Sequence, residues 1–232
     1  MPVHVPDGFL DAPTSVATGV VAVGVVAVAL RKARTELDDR TAPLVGLVAA
    51  FVFAAQMMNF PVGAGTSGHL LGGALAAVLV GPWTGALCVS VVLLVQALFM
   101  ADGGITALGT NVVLMSVVGT FVGYGVFRAV RMVLPKRLSS VAPAAAVGAL
   151  LSVPAAALTF TLLFAVGGQA PVSLGAVLTA MVGWHVVIGI GEAVVTGLVV
   201  GAVVASRPDL VHGAHDLVQQ RRLEIRGTGV QA

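Results

Sequence analysis

The sequence predicts an all-α membrane protein, a bundle of about seven transmembrane helices, and three observations support this fold class. Hydrophobic residues make up 58% of the 232 residues and charged residues only 9%, whereas soluble domains have about 45–50% and about 25%. So few charges could not cover a water-soluble surface, and a disordered chain would need the opposite balance. The other two observations are long uncharged stretches and clustered basic residues.

The uncharged stretches have the length of membrane spans, because a transmembrane helix needs about 20 mainly apolar residues. We expect the third span to be short and rich in Gly and Ala. We expect the sixth span to be kinked or broken, because it contains Pro143 and Pro154. The seven predicted spans cover residues 13–30, 42–58, 70–81, 83–101, 111–130, 141–166 and 177–206.

The basic residues predict the topology. Seven alternating spans put all three basic clusters on one side of the membrane, which the positive-inside rule identifies as cytoplasmic. The N-terminus is then outside and the C-terminus inside, with residues 1–206 as one transmembrane domain and residues 207–232 as a short cytoplasmic tail. The first residues show no positively charged segment and no cleavage site, so we expect the first span to be a retained helix. The clusters are Arg31, Lys32, Arg34 and Arg40; Arg128, Arg131, Lys136 and Arg137; and Arg207, Arg221, Arg222 and Arg226.

Three polar, glycine-containing segments fall on the predicted outer face: the N-terminus, residues 59–69 and residues 101–111. They carry histidine, carboxylate and amide side chains but no Lys or Arg, a set that suits a metal cation better than an anion. Imidazole is a ligand for Ni, Cu, Zn and Co, whereas Mg and Ca prefer oxygen. The residues concerned are His4, Asp7, Asp11, Asn59, His69, Asp102 and Asn111.

Two ionisable residues, His185 and Glu192, lie inside the last predicted span. Such groups cost at least ~2.5–3.5 kcal/mol each within a membrane, so they usually have a partner or a task. Their spacing places both side chains on one face of a helix. We expect them either to brace the outer site or to pair with each other.

A nucleotide-binding loop is missing from the sequence, and two other function classes stay open. The lysines Lys32 and Lys136 do not belong to a G-x-x-x-x-G-K-[ST] motif, so we expect this chain to bind no nucleotide and not to be an enzyme. One alternative is a stand-alone secondary metal transporter or channel. Another is an intramembrane serine protease with Ser67, in a G-x-S-G pattern at a helix start, as nucleophile and His185 as its base.

Four sequence blocks resemble one family of metal transporters. They are PDGFL at residues 6–10, QMMNFPVGAGTSGHLLGG at 56–73, DGGITALGTN at 102–111 and HVVIGIGEAVVTG at 185–197. Through these blocks the chain resembles the substrate-binding (S) membrane component of energy-coupling-factor cobalt and nickel importers, the CbiM/NikM family. The resemblance implies a subunit of an ATP-driven importer in the bacterial cytoplasmic (inner) membrane, with Co(II) or Ni(II) bound on the outer face as transported substrate.

The resemblance also implies the metal ligands. In similar proteins the chain begins Met-His, and the α-amine, the histidine backbone nitrogen, its imidazole and a second imidazole form a four-nitrogen, roughly square-planar site. Carried over, the two histidines are His4, in an extracytoplasmic N-terminal segment, and His69. Tetragonal nitrogen coordination suits Ni(II) and Cu(II). The residues that would support these ligands are Asp7, Asn59, Asp102, Asn111, His185 and Glu192.

The N-terminus departs from this pattern, because it reads Met-Pro-Val-His and Pro2 has no amide proton to lose. Three explanations stay open. A GTG start codon at Val3 would make the mature chain begin Met-His. Removal of Met1 would instead let the segment from Pro2 to His4 supply four nitrogens alone, or the site is degraded in this protein. Val3 and Pro2 are therefore the candidate N-terminal nitrogen ligands.

Partner proteins are implied as well: a transmembrane coupling (T) subunit, cytoplasmic ATP-binding-cassette ATPase subunits and a small accessory membrane subunit, all at the lipid bilayer. Because the basic residues account for the topology, we expect no nucleic-acid partner. Small residues four apart favour close helix packing, within the bundle or against a partner. We assign Ala50 and Ala54 to partner docking, and Gly119/Gly123 and Gly197/Gly201 share the pattern.

Overall fold

The computed structural model describes residues 4–37, 41–63 and 66–229, and most of them are helical. Within this part of the chain, five helical segments are long and apolar enough to cross a membrane. The all-α membrane fold class is thereby confirmed, and the protein is a multi-pass membrane protein. The five segments are Ala12–Glu36 (α1), Pro82–Phe99 (α4), Leu108–Val133, Leu138–Gly167 and Leu174–Ser206 (α8).

The second and third predicted spans are shorter helices. Helix α2 (Ala42–Gln56) is apolar but has 15 residues, and α3 (Gly73–Val80) has eight residues, all of them buried. An eight-residue helix is about 12 Å long, less than half of the ~30 Å hydrocarbon core. Helix α3 therefore cannot cross the membrane by itself, and the count of seven spans stays a prediction, as does the orientation of the termini.

A β-hairpin leads into α3. Strand β1 (Asn59–Gly63) pairs antiparallel with β2 (Thr66–His69), so that Asn59 lies opposite His69. The chain then turns into α3 at Gly72, whose φ of +74° favours glycine. The hairpin therefore places His69 directly before the start of a buried helix.

The start of α3 is held by Glu192 of α8. Its carboxylate accepts hydrogen bonds from the backbone N–H of Leu71 at 2.6 Å and of Gly72 at 2.9 Å, and the residue is buried. A carboxylate at a helix N-terminus satisfies free N–H groups and interacts favourably with the helix dipole. Glu192 therefore fixes the position of α3 relative to α8 and does not pair with His185.

The sixth predicted span is one continuous helix, α7 (Val141–Gly167), so it is not broken, whereas the kink stays a prediction. Pro154 has no N–H and leaves the carbonyl of Leu150 without its helical donor. Helix α8 packs tightly at this point, since a Cβ on its Gly189 would lie 2.9 Å from the Leu150 oxygen. Close packing between α7 and α8 stabilises the helix across the proline.

The fifth predicted span is also continuous but contains a π-helical stretch. Helix α5 (Leu108–Asn111) runs through the π-helical residues Val112–Val118 into α6 (Gly119–Val133). Within it, Ser116 accepts a hydrogen bond from Ser90 of α4 at 3.0 Å. A π-helical turn is rare and often occurs near a functional site, and this one begins directly after Asn111.

The small-residue pairs divide into two groups. A Cβ on Gly123 would clash with Ala74 of α3, and Gly197 and Gly201 pack beside α7, so these glycines serve packing within the bundle. Ala50 and Ala54 instead lie exposed on one face of α2. That face is available for a neighbouring helix.

The segment that follows α8 folds back onto the bundle. Val211 and Ala214 are fully buried, and a Cβ on Gly213 would lie 2.8 Å from the ring of Phe127 in α6. Helix α9 (His215–Gly229) then begins. The predicted tail 207–232 thus starts with residues that pack on the ends of the helices.

Candidate metal centre

The N-terminal segment is fixed to α5 and to the loop that precedes this helix. Asn111 binds the backbone of Val5 on both sides: its Oδ1 accepts from the Val5 N–H at 3.0 Å, and its Nδ2 donates to the Val5 carbonyl at 3.2 Å. The same carbonyl accepts from the N–H of Gly104 at 2.9 Å. The segment is therefore fixed one residue after His4.

Further contacts hold residues 6–11. Asp7 accepts hydrogen bonds from the backbone N–H and the hydroxyl of Thr106, which also lower the pKa of the Asp7 carboxyl. The ring of Phe9 packs against Phe160 and Phe164 of α7, and the N–H of Asp11 donates to a carbonyl at the end of that helix. The PDGFL block thus connects the N-terminus to two parts of the bundle.

His4 is 5% exposed and lies against Asp102. Its Nδ1 is 3.3 Å from the Asp102 carbonyl oxygen and 3.7 Å from the Oδ2 of the same residue. Its Nε2 makes no hydrogen bond with any described residue. Burial lowers the pKa of His4 against an opposing effect of Asp102, so the ring is neutral at neutral pH, the form that binds metal.

His69 is 6% exposed at the end of β2. Its Nδ1 donates to the carbonyl of Leu70 at 2.8 Å, which leaves Nε2 as the nitrogen with a free lone pair. Burial, together with repulsion from His4 and His185, lowers the pKa of His69 to about 3. This imidazole is therefore also neutral.

The structure brings the two histidines into direct contact. Their ring centroids are 4.7 Å apart and their planes are inclined by 85°. With metal–nitrogen bonds of about 2.0–2.1 Å, each ring centre would lie about 3.2 Å from a shared metal. Ring centres at adjacent corners of a square-planar site are then about 4.5 Å apart, and those at opposite corners about 6.4 Å. The observed distance fits adjacent corners.

The other predicted residues have varied positions. Asp102 contacts His4, and Asn111 binds the backbone of Val5. Asp7 binds Thr106 rather than a histidine. His185 is close enough to affect His69 electrostatically, but its Nδ1 donates to the Met181 carbonyl at 2.6 Å.

Two predicted residues lie outside the described part of the chain, and two others are described without their side chains. Val3 and Pro2 are outside the described residues, and for Asn59 and Ser67 only the backbone is described. Ser67 is in strand β2, not at a helix start. In the described ranges, no group of three or more His, Cys, Asp or Glu side chains is arranged to hold a metal ion.

Three residues near the site were not predicted from the sequence. Gly103 has a φ of +87°, and a Cβ there would lie 2.8 Å from the Cβ of His4. Gln56 is fully buried and donates to the Leu71 carbonyl at 2.8 Å. Gln96 is also fully buried, and its backbone carbonyl accepts from the N–H of Asp102. The available signals were the Gly-Gly pair in DGGITALGTN and polar amides inside apolar spans.

Similar proteins of known name are metal transporters. A putative metal transport protein of Haloquadratum walsbyi is 41% identical over 208 residues, which cover 90% of this chain and 93% of that protein. A putative fused nickel transport protein of Archaeoglobus fulgidus is 38% identical over 208 residues, covering 90% of this chain and 68% of that protein. A cobalt transport protein, CbiM, of Sorangium cellulosum is 45% identical over 131 residues, covering 55% and 58%.

A solved structure and a family model agree with these relatives. The crystal structure of a truncated transition metal transporter superposes with a TM-score of 0.74 at 34% identity, covering 88% of this chain and 99% of that one. The model of the CbiM family, described as the cobalt uptake substrate-specific transmembrane region, matches residues 4–210. With most of its length matched, the chain belongs to the CbiM family of cobalt and nickel uptake proteins.

Proposed function

We propose that this chain is the substrate-capture subunit of an ATP-driven importer of the energy-coupling-factor type, and that it binds Co(II) or Ni(II) through His4 and His69. One observation carries the proposal: two buried, neutral imidazoles from distant parts of the chain lie in contact at a spacing that fits two ligands of one metal ion. Core packing alone does not need two adjacent histidines, and the burial of His4 Nε2 without a hydrogen bond costs free energy that a bound metal would offset.

The remaining ligands come from the N-terminal nitrogens. Two imidazoles supply two donors, and a square-planar site has four. If the chain begins at Val3 as Met-His, its α-amine and the deprotonated amide of His4 would complete the set. If it begins at Pro2, residues 2–4 could supply four nitrogens alone, and His69 would be an axial ligand or none. The clamp on Val5 holds this segment so that its nitrogens stay near His69.

The orientation of the His4 ring bears on how the metal is bound. A chelate that includes the backbone nitrogen of His4 closes a six-membered ring only through Nδ1, and in the structure that atom faces Asp102. Metal capture in this mode requires the ring to turn by about 180° about the Cβ–Cγ bond, a broad torsion in histidine. Asp102 would then release Nδ1 when the metal binds.

The proposed orientation places this site outside. The described basic residues at the ends of α1, α6 and α8 lie at the opposite end of the bundle from His4, and the positive-inside rule assigns that end to the cytoplasm. ATP hydrolysis would take place in separate ATP-binding-cassette subunits, joined through a T subunit and with a small accessory membrane subunit. The exposed face of Ala50 and Ala54 is the proposed contact with these partners.

A metal titration tests the proposal. We expect purified protein to bind one Ni(II) or Co(II), and His69→Ala and His4→Ala each to weaken binding by more than about tenfold, because each removes a ligand. His215→Ala, at the opposite end of the bundle, is the matched control and should bind as the wild type does. Equal affinity in all four proteins would contradict the site. Thermal unfolding of each variant checks that the fold is retained.

Two further measurements address the rival functions. A secondary transporter or channel would move Ni(II) into liposomes with this chain alone, driven by a gradient. An intramembrane serine protease would be labelled at Ser67 by a fluorophosphonate, and the label would disappear in Ser67→Ala. We expect neither result, because nothing in the proposed mechanism gives the chain its own driving force or an activated serine.

A further inference from the structure

A cavity lies at the end of the bundle away from the histidine pair. It has a volume of about 510 Å³ and is open to the surface. The C-terminal part of α6 and the segment that follows α8 form its walls. The volume falls within the ~300–1,000 Å³ of small-ligand pockets. It has no part in the proposed metal capture.

The lining of this cavity is predominantly cationic. Arg128, Arg131 and Lys136 contribute three permanent positive charges, against the single carboxylate of Asp216. Arg131 Nη2 lies 3.5 Å from Asp216 Oδ2, and this carboxylate is well exposed to solvent. The cavity thus keeps a net positive charge that its own residues do not neutralise.

Arg131 has an unused donor in this cavity. Its side chain is 10% exposed, and its Nη1 is buried without a hydrogen bond to any described residue. A buried guanidinium N–H without an acceptor costs free energy. Because guanidinium groups match the geometry of phosphate oxygens, a phosphate group is the acceptor that this lining fits best.

The apolar surroundings indicate where the phosphate comes from. Met132 also lines the cavity and is 80% exposed, and the neighbouring Val133 is 82% exposed. Both stand at the C-terminal end of α6, and the end of a helix that crosses the bilayer lies where headgroups meet acyl chains. Basic pockets between helices at this depth are typical sites for anionic lipid headgroups.

We propose that this cavity binds the phosphate headgroup of an anionic phospholipid, with Arg131, Arg128 and Lys136 as the phosphate contacts and Met132 against the acyl chains. The proposal does not depend on the metal site. A free phosphate ion offers the same chemistry, but the exposed apolar residues beside the cavity favour a lipid.

The chain offers a closely matched pair of variants. Lys136 and Arg137 are adjacent, exposed and both basic, but only Lys136 lines the cavity. Lys136→Gln and Arg137→Gln therefore make the same charge change in the same loop. Arg131→Gln removes the buried guanidinium and is the stronger test, while Lys136→Gln carries little risk to folding because its side chain is exposed.

The measurement is native mass spectrometry of the full chain purified from vesicles with equal phosphatidylglycerol and phosphatidylcholine of the same acyl chains. We expect the wild type to retain phosphatidylglycerol at least about fivefold over phosphatidylcholine. Lys136→Gln and Arg131→Gln should each reduce this preference about fivefold, since each removes one phosphate contact. Arg137→Gln should keep it.

Three outcomes would overturn the proposal. An equal loss in Lys136→Gln and Arg137→Gln would mean general attraction to the basic end of the bundle. Retention of phosphate by protein in phosphatidylcholine with sodium phosphate, together with no retention of phosphatidylglycerol from the mixed vesicles, would mean a free-ion site. The absence of any lipid preference in the wild type would exclude a lipid ligand and favour an acidic segment of a partner protein in this cavity. Thermal unfolding of each cavity variant checks that the bundle is intact.

Discussion

In the proposed metal centre, Asn111 would hold the segment next to His4 in place without being a ligand itself. Its amide binds the N–H and the carbonyl of Val5, so the residue after His4 has a fixed position before any metal arrives. Asp102 and Gly103 hold His4 from the other side. Preorganisation of this kind reduces the loss of conformational entropy that accompanies binding.

Loss of the Asn111 amide should weaken metal binding without removing a ligand. Asn111→Leu deletes both hydrogen bonds to Val5, and Asn111→Asp retains the acceptor and loses the donor. We expect Ni(II) affinity to fall about 10- to 100-fold in the first variant, the usual cost of removing a group that orients metal ligands, and less in the second. Calorimetric titration gives both values. Wild-type affinity in Asn111→Leu would mean that the clamp has no part in capture.

Metal binding should weaken as the pH falls, and the pH range of the loss identifies the ligands. The pKa of His69 is lowered to about 3 and that of His4 is lowered by burial, so their protonation competes only below the ordinary histidine range near ~6.5. An N-terminal amine and an amide must release protons to bind, which costs affinity below about pH 7.7.

We therefore expect Ni(II) affinity to fall more than about tenfold between pH 7.5 and pH 6, because the N-terminal nitrogens become protonated first. Titrations at four or five pH values in this range measure the slope. If affinity were constant to pH 5, the histidines would be acting without N-terminal nitrogens.

At the scale of elements, the loop between α4 and α5 sets the position of His4. Gly103 has a positive φ and no room for a side chain, while Gly8 has a φ of +75° and no atom within 4 Å of its Cβ position. Gly8→Ala therefore adds backbone strain of about 1–2 kcal/mol, and Gly103→Ala adds the same strain and a clash with His4.

This difference predicts that both variants unfold at lowered temperatures, Gly103→Ala at the lower one, and that they differ in metal binding. Gly103→Ala should lose more than about tenfold in Ni(II) affinity, as expected for displaced ligands, and Gly8→Ala should lose much less. Thermal unfolding of both proteins measures the effect of backbone strain on stability, and calorimetric titration measures the effect of a displaced His4 on Ni(II) affinity. Equal affinities would show that the loop does not position His4.

Helix α2 presents its small residues outward, which suits a partner helix. Ala50→Leu should leave metal affinity unchanged and strongly reduce ATP-driven uptake, because a larger side chain prevents close helix approach. Ala27→Leu on the exposed face of α1 is the matched control, since Ala27 is also exposed. Uptake of radioactive nickel by cells expressing the whole transporter is the readout. Equal uptake in both variants would rule out docking at Ala50.

For the whole molecule, transport should depend on partners. The chain alone in liposomes should bind Ni(II) at its surface but not accumulate it, and uptake should appear when the coupling and ATPase subunits are added with ATP. A chelator added outside the liposomes removes nickel bound at the outer surface, so that only nickel inside the liposomes is counted. Gradient-driven accumulation by this chain alone would contradict the assignment as a capture subunit.

The long helices were predictable because 58% hydrophobic residues and clustered charges leave few other arrangements. The short length of α3 was expected from the sequence, but the position of its N-terminus was not, because Glu192 holds it from more than 100 residues away. The packing of Gly189 of α8 against α7 near Pro154 was not predictable either. Tertiary contacts of this kind leave no local signal.

The metal centre was predictable only in part. Hydrophobicity and charge placed His4 and His69 on one face of the membrane, and the family resemblance made them a pair. Their 4.7 Å contact and the role of Asn111 follow from how residues 4–11 pack on the loop before α5. Sequence spacing does not encode that packing, since it joins residues about 100 positions apart.

The most direct test of this account is a comparison of two N-termini by Ni(II) titration. One protein begins Met-His, with methionine at the Val3 position, and the other carries the two extra residues as written in the sequence. We predict that the first binds one Ni(II) tightly and that retention of Met-Pro before Val3 abolishes tight binding, because the amine is then displaced from His4 and His69. Equal binding by both proteins would contradict a metal centre built on the captured N-terminus.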